Sequence, residues 1–315
     1  MNSIRFTQMC IKLVLQENCS LPLYKVSAIR GGLGQMLMAQ NCICDGACRE
    51  CNFVSSCIVR NIMYSPFKIK PPSVTNEESM GYAIDCTDTR ERYKAGDSLL
   101  VHFNLFGDTI SYIMPMIYAL TTLGYTGLGK GKARFQIVEI TNRYQQPILR
   151  DGMINLKNVR IETVGKYVDE RMNHKNAESA YLKVKLLSPC AVKYQGEFLE
   201  EFNGRSLVMS MLQKLHHYRL YEGNEAQKEY WNEDEFPIVS RQHMKKVTIP
   251  RYSTTQEKKM YLKGIQGELE LEKCNERLQR LLYATEILHL GKNTRLGFGK
   301  IQVDNIVKRE ERNDE

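Results

Sequence analysis

Apolar and polar positions alternate along the opening stretch of the chain. Ile4, Phe6, Met9, Ile11, Leu13 and Leu15 mark a strand with one slip of phase, which reads as a β-bulge. Val26, Ile29, Leu33 and Met36 then recur at helical spacing, and Gly31, Gly32 and Gly34 inside that helix imply close backbone packing. Leu99, Val101, Phe103 and Leu105 alternate with Leu100, His102 and Asn104, the signature of a half-buried strand. The following helix has Asp108 as its predicted cap and Pro115 as a kink or late start. Phe135, Ile137 and Val138 open the next strand.

The second half repeats this order. Leu182, Val184 and Leu186 alternate with lysines, and Leu207, Met211, Leu215 and Tyr218 share one helical face. A polar, less regular insertion is predicted from about Glu222 to Pro250, before another alternating strand at "KMYLKGIQGELEL". Asn275 is a plausible cap for a helix that turns Leu278, Leu281, Leu282 and Leu288 inward, and Ile301 to Ile306 form a last strand. Two consecutive β-α-β-β-α-β units are the simplest reading. The fold class is α+β with two tandem ferredoxin-like (RRM-like) domains, 1–150 and 151–315. Their alternating strands predict sheets with one covered and one open face.

With 315 residues, 43% hydrophobic and 25% charged, the composition is that of a soluble globular chain. No apolar run approaches the roughly 20 residues of a membrane helix. The opening residues lack the pattern of a signal peptide, so a cytoplasmic protein with no membrane partner is expected. The net charge of +8 permits a polyanionic partner without demanding one. Its distribution says more. Gly127–Lys130 and Gly297–Lys300 both read Gly-apolar-Gly-Lys. Lys130, Lys132 and Arg134 crowd the first glycine loop, and Lys292, Arg295 and Lys300 crowd the second. An open sheet face beside such a loop is a platform for RNA.

Five of the ten cysteines fall between 42 and 57. Cys44, Cys48, Cys51 and Cys57 have the spacing of a small metal-binding loop, with Cys42 as a spare. A structural zinc, an iron–sulfur cluster and unligated thiols all stay open, whereas four thiolates leave no open position for a catalytic metal. Cys10, Cys19, Cys86, Cys190 and Cys274 are expected to be buried small apolar residues.

The string His289-Leu290-Gly291, five residues, Gly297-Phe298-Gly299 resembles the C-terminal glycine-rich loop of the CRISPR precursor-RNA processing endoribonucleases of the RAMP superfamily, with His289 in place of the first glycine. "IRGGLGQML", the cysteine cluster, "GYTGLGKGKARF" and "RYSTTQEKKMYLKGIQGEL" agree, in order, with a subgroup of that family. The resemblance implies two ferredoxin-like RAMP domains and an endoribonuclease that binds CRISPR repeat RNA and cuts precursor crRNA without a catalytic cofactor. It further implies that the RNA's 2′-hydroxyl attacks the adjacent phosphate, leaving 5′-hydroxyl and 2′,3′-cyclic phosphate ends. The alternative is a non-catalytic RAMP subunit that holds crRNA among other CRISPR effector subunits. A metal-sensing regulator built on the cysteine loop is a third reading.

Many members of that family use a histidine early in the first domain, but this chain has none before His102. The resemblance then points to Tyr24, Lys25 and Arg30 around the first helix, with His289 as the titrating group. His289 reads equally as a residue that only braces its loop. Gly291, Lys292, Arg295, Gly297, Gly299 and Lys300 are expected to meet the phosphate through cations and loop amides. Lys130, Lys132 and Arg134 could grip phosphates or form a solvated face. Arg251 and Tyr252 combine a cation with a ring that could stack on a base or join the core.

Overall fold

The computed structural model describes residues 1–72, 79–173, 181–225, 229–253 and 258–306, leaving aside the side chains of 252, 253, 258 and 259. In the first unit β1 (Arg5–Leu15), β2 (Tyr82–Asp85), β3 (Ser98–Phe106) and β4 (Phe135–Thr141) stand in the order β2-β3-β1-β4. The hairpin strands β5 (Pro147–Arg150) and β6 (Met153–Ile154) extend the β4 edge, and Glu162–Thr163 pairs with β1. Helices α1 (Val26–Asn41) and α3 (Ile113–Thr126) supply the crossovers, with the short α2 (Ile58–Met63) after the cysteine loop. After α4 (Val164–Asn173), the second unit comprises β7 (Leu182–Leu186), α5 (Gly204–Tyr221), β8 (Ile238–Ser253), β9 (Lys258–Glu272), α6 (Glu276–Leu288) and β10 (Ile301–Asn305). Its sheet order, β8-β9-β7-β10, repeats that of the first unit. Both are antiparallel, so the α+β reading with two ferredoxin-like sheets describes the molecule.

The phase slip in β1 has a cause other than a bulge. Pairing with β3 runs unbroken from Phe6↔Phe106 to Val14↔Ser98. Met9, Ile11, Leu13 and Leu15 face the core beneath α1 and α3, whereas Ile4 and Phe6 join the core built with α5 and α6. The strand serves two cores, one on each side of the sheet. A separate register shift does occur between Lys12 and Leu13, against β4.

That second core joins the halves. Phe106 lies 4.4 Å from Tyr218 between ring centroids, and the Asn104 amide donates to the Ile287 carbonyl at 2.9 Å. Glu222 accepts from the Arg5 backbone and guanidinium. Pro115 marks a late start: a 3₁₀ turn over Gly107–Tyr112 precedes α3, and the Asp108 carboxylate pairs with Arg5 and Lys68 instead of capping the helix. Asn275 does cap α6, accepting from Leu278 N. Between α1 and α3 the packing is close enough that a Cβ on Gly32 would lie 2.5 Å from Leu123, although Gly31 faces open space.

The predicted polar insertion is corrected from Ile238 onward. β8 pairs with β9 from Ile238↔Glu272 to Ser253↔Lys258 in a long ribbon. As the edge strand, β8 exposes Arg241, His243, Lys245 and Lys246, so its sequence carries little alternation. Among the half-chain cysteines, Cys190 and Cys274 are buried, but Cys10, Cys19 and Cys86 are only half-buried.

Candidate nucleic-acid interface

The second glycine loop begins where α6 ends. His289 closes that helix at φ 60 and ψ 151, a conformation normally left to glycine. Its Nδ1 lies 3.2 Å from the Phe298 carbonyl, which can only accept, so Nδ1 carries the proton. Its Nε2 lies 3.7 Å from the Asp85 carboxylate on β2. The ring is fully buried. Burial, reinforced by the charge of Lys300, pushes its pKa down to about 3. A neutral, enclosed imidazole cannot reach a phosphate, so the expectation of a titrating catalytic His289 gives way to that of a loop brace.

The loop glycines are shaped by packing too. Gly297 has φ +90, and a Cβ there would lie 2.8 Å from that of Val26 at the start of α1. Gly299 abuts the backbone of Leu290, and Gly291 that of Ala191. Much of the loop backbone is already bonded within the protein: Gly297 N donates to Thr294 O and Phe298 N to Asn293 O inside the loop, while Lys292 N donates to Ala191 O, Gly299 N to Pro189 O and Lys300 N to Ser188 Oγ in the segment after β7. The expected phosphate-binding amides of Gly297, Gly299 and Lys300 are therefore occupied, the first by the loop itself and the other two by the Ser188–Pro189 segment after β7. Lys300 Nζ donates to the Glu286 carbonyl, and Lys214 Nζ donates to the carbonyl of Gly291.

Lys25 is likewise structural. It is fully buried, and its Nζ donates to the carbonyls of Asp88 at 2.9 Å and Arg90 at 2.6 Å, which removes it as a catalytic candidate. Burial lowers its pKa.

Three other predicted residues do converge. Arg30 comes from α1, Arg251 from β8 and Arg295 from the glycine loop. The Arg251 guanidinium is held below its usual range by burial and then by the charges of Arg30 and Arg295. Arg30 Nε is buried without a hydrogen-bond partner among the described residues. Arg295 donates to the carbonyl of Met63, the last residue of α2, at 3.1 Å. Tyr24 packs against Ala191, Ile249 and Phe298, and its hydroxyl lies 3.4 Å from Gln266 Oε1 on β9. Burial raises its pKa. Two domains and the glycine loop thus bring three cations within electrostatic reach of one another, an arrangement suited to an anion. The side chain of Tyr252 lies outside the described residues.

The first glycine loop is built apart from this cluster. It closes on itself through Leu128 and Ala133, after α3 ends at Gly127. Lys130, Lys132 and Arg134 are exposed, with Arg134 paired to Glu17 at 3.5 Å. Sequence reasoning missed Gln266, Asp85 and the Met63 carbonyl, which no local motif marks because each meets a partner more than 200 positions away.

The five loop cysteines line a pocket of about 190 Å3 between α1 and α2. Gly46 N donates to Cys42 Sγ at 3.4 Å, the five thiols are free, and Cys57 occupies the N-cap position of α2 without a side-chain cap bond. Among the described residues, no three His, Cys, Asp or Glu side chains converge as metal ligands. As placed, Cys44, Cys48, Cys51 and Cys57 do not form the convergent set that a structural zinc, one of the open readings of their spacing, would need. Nor is any helix among the described residues long and apolar enough to cross a membrane.

No curated protein matches the chain in sequence. The fold is that of several solved structures. A Cas6 product complex superposes with a TM-score of 0.52 at 14% identity, covering 95% of this chain and 99% of that one. Thermus thermophilus Cas6 gives 0.52 at 10% identity, covering 96% and 99%. A partial Cas6-RT-Cas1–Cas2 complex gives 0.57 at 13% identity, covering 97% of this chain and 47% of the other. Residues 4–161 match the AF_1859_N family, an N-terminal domain, and residues 184–301 match the family CRISPR-associated endoribonuclease Cas6. The chain belongs to the AF_1859_N family through its first half, and its second half carries a Cas6 endoribonuclease domain.

Proposed function

We propose that this protein binds CRISPR repeat RNA and cuts precursor crRNA once, at the junction of α1, β8 and the glycine loop. The single observation that carries the reading is the convergence of Arg30, Arg251 and Arg295, three guanidiniums from three elements. A scissile phosphate set among them would be neutralised in the ground state. It would be stabilised further as negative charge develops on the phosphorane. The nucleophile is the RNA's own 2′-hydroxyl, so the step needs no cofactor. The O2′–P bond forms, the P–O5′ bond breaks, and the products carry 2′,3′-cyclic phosphate and 5′-hydroxyl ends. Tyr24, packed against Ile249 of β8 and Phe298 of the glycine loop, is the candidate hydroxyl donor; its raised pKa suits it to give a hydrogen bond, not to act as a base at neutral pH. With Lys25 and His289 withdrawn into the fold, turnover is expected to be slow.

The His-apolar-Gly loop and the cysteine cluster support assignment to the corresponding subgroup, and the domain division 1–150 and 151–315 is proposed with it. The Cas6-RT-Cas1–Cas2 likeness supports CRISPR proteins as partners. Lys130, Lys132 and Arg134 are proposed to touch RNA away from the cut.

The test is incubation of purified protein with labelled repeat RNA in EDTA, followed by identification of the product ends. A 2′-deoxy substitution at the cut site is expected to abolish the reaction. The burial of both expected proton-transfer groups favours a second reading, a subunit that only holds crRNA. Tight binding of intact repeat RNA without cutting would support that reading and refute the first.

A further inference from the structure

On the face of the first sheet that also carries Phe6 and Phe106, outside the arginine cluster, three side chains meet across three strands. Cys10 on β1 stands opposite His102 on β3, and His102 stands opposite Asp85 on β2. His102 Nδ1 lies 2.9 Å from Asp85 Oδ1, and Cys10 is the cross-strand neighbour of the ring on β1. With Nδ1 committed to the carboxylate, Nε2 is the nitrogen left to meet the thiol. Asp85 is buried, with only 3% of its side chain exposed, whereas His102 is 32% exposed and Cys10 is half-buried. The thiol and imidazole are thus open to small solutes from a rigid sheet, with the carboxylate behind them.

The electrostatics agree with that geometry. Burial works against the Asp85 carboxylate, but the His102 bond and Lys300 outweigh it and hold its pKa below the usual range. The bond to Asp85, and then the adjoining Cys10, push the pKa of His102 up to about 10. His102 is therefore a cation at neutral pH. A thiol beside such a cation is the arrangement that makes cysteines nucleophilic. The other half-buried thiols lack it: burial raises the pKa of Cys19, and burial pushes Cys86 up to about 11.

We propose that Cys10, His102 and Asp85 form a peroxide-reactive site in which Cys10 is the oxidisable nucleophile. Cys10 Sγ, its proton released to solvent, attacks one oxygen of a hydroperoxide and the O–O bond breaks. The sulfur is oxidised to sulfenic acid. His102 gives its Nε2 proton to the leaving oxygen, so hydrogen peroxide is reduced to water and His102 regains a proton from solvent. Asp85 keeps the ring oriented and charged.

The test treats the whole reduced protein with hydrogen peroxide at neutral pH, traps sulfenic acid with dimedone and follows each cysteine by peptide mass spectrometry. Cys10 is expected to react at least about ten-fold faster than Cys19 and Cys86. His102→Gln is expected to remove that advantage while circular dichroism shows an intact fold. Asp85→Asn, which leaves the thiol and ring in place, is expected to lower the rate in the same direction. Equal rates at the three cysteines, or an unchanged Cys10 rate in a folded His102→Gln protein, would overturn the proposal.

Discussion

Arg30 is the most informative position to perturb, because the same charge is expected to cost stability and supply binding. In the RNA-free protein it adds to the repulsion that depresses the Arg251 guanidinium, and its own Nε is buried without a partner among the described residues. A like-charge pair in a partly solvated site costs, after screening, on the order of 0.5–1 kcal/mol. Arg30→Met keeps much of the aliphatic stem and removes the charge. Unfolding is expected to shift upward by roughly 1–3 °C, following the usual scaling for a domain of this size. RNA affinity is expected to move the opposite way, with the slope of log affinity against log salt falling by about 0.7 for one lost contact to single-stranded phosphate. Thermal unfolding by circular dichroism and filter binding across a salt series measure the two effects on one preparation. A lower melting temperature together with an unchanged salt slope would refute the reasoning, since Arg30 would then be a packing residue with no anion to meet.

Three further outcomes follow from particular contacts. The cleavage rate is expected to rise through pH 5 to about 8 without the inflection near 6.5 of an accessible histidine, because His289 titrates near 3. An enzyme inflection in that range, removed by His289→Gln in a folded protein, would restore His289 to the chemistry. Gly297→Ala is expected to cost about 1–3 kcal/mol in urea unfolding from backbone strain, plus the clash with Val26. Gly129→Ala, at φ +71 with open space around it, should lose only the strain. Equal losses would mean that the loop does not press on α1. The raised pKa of His102 implies stability that is complete below its unfolded value of about 6.5 and is lost as pH rises through about 10. Asp85→Asn should therefore destabilise more at pH 6 than at pH 10.5 in denaturant titrations, and a pH-independent loss would argue against the ion pair.

The periodicities of the chain carried the two ferredoxin-like units, because each half-buried strand and amphipathic helix writes its inner face directly into the sequence. The ribbon strand β8 was illegible for the converse reason: an exposed edge has no inner face to record over much of its length. The β1 phase slip was visible but ambiguous, since a bulge and a strand shared by two cores leave the same pattern.

At the candidate site, glycines and cations marked the loop with Arg295, and Arg251 stood out beside Tyr252, whereas Arg30 and Tyr24 were named only through the family resemblance. Where each side chain lies, and what it meets, was decided only when the two units packed together. Lys25 and Arg30 lie five positions apart, yet one is enclosed by backbone carbonyls and the other meets two arginines from the far half of the chain. His289 and His102 are the same residue type, and burial drives one towards neutrality while a buried carboxylate keeps the other charged. Residue identity and local period fix which elements form. Solvent access and the nearest opposite or like charge, which come from distant segments, fix what their side chains can do.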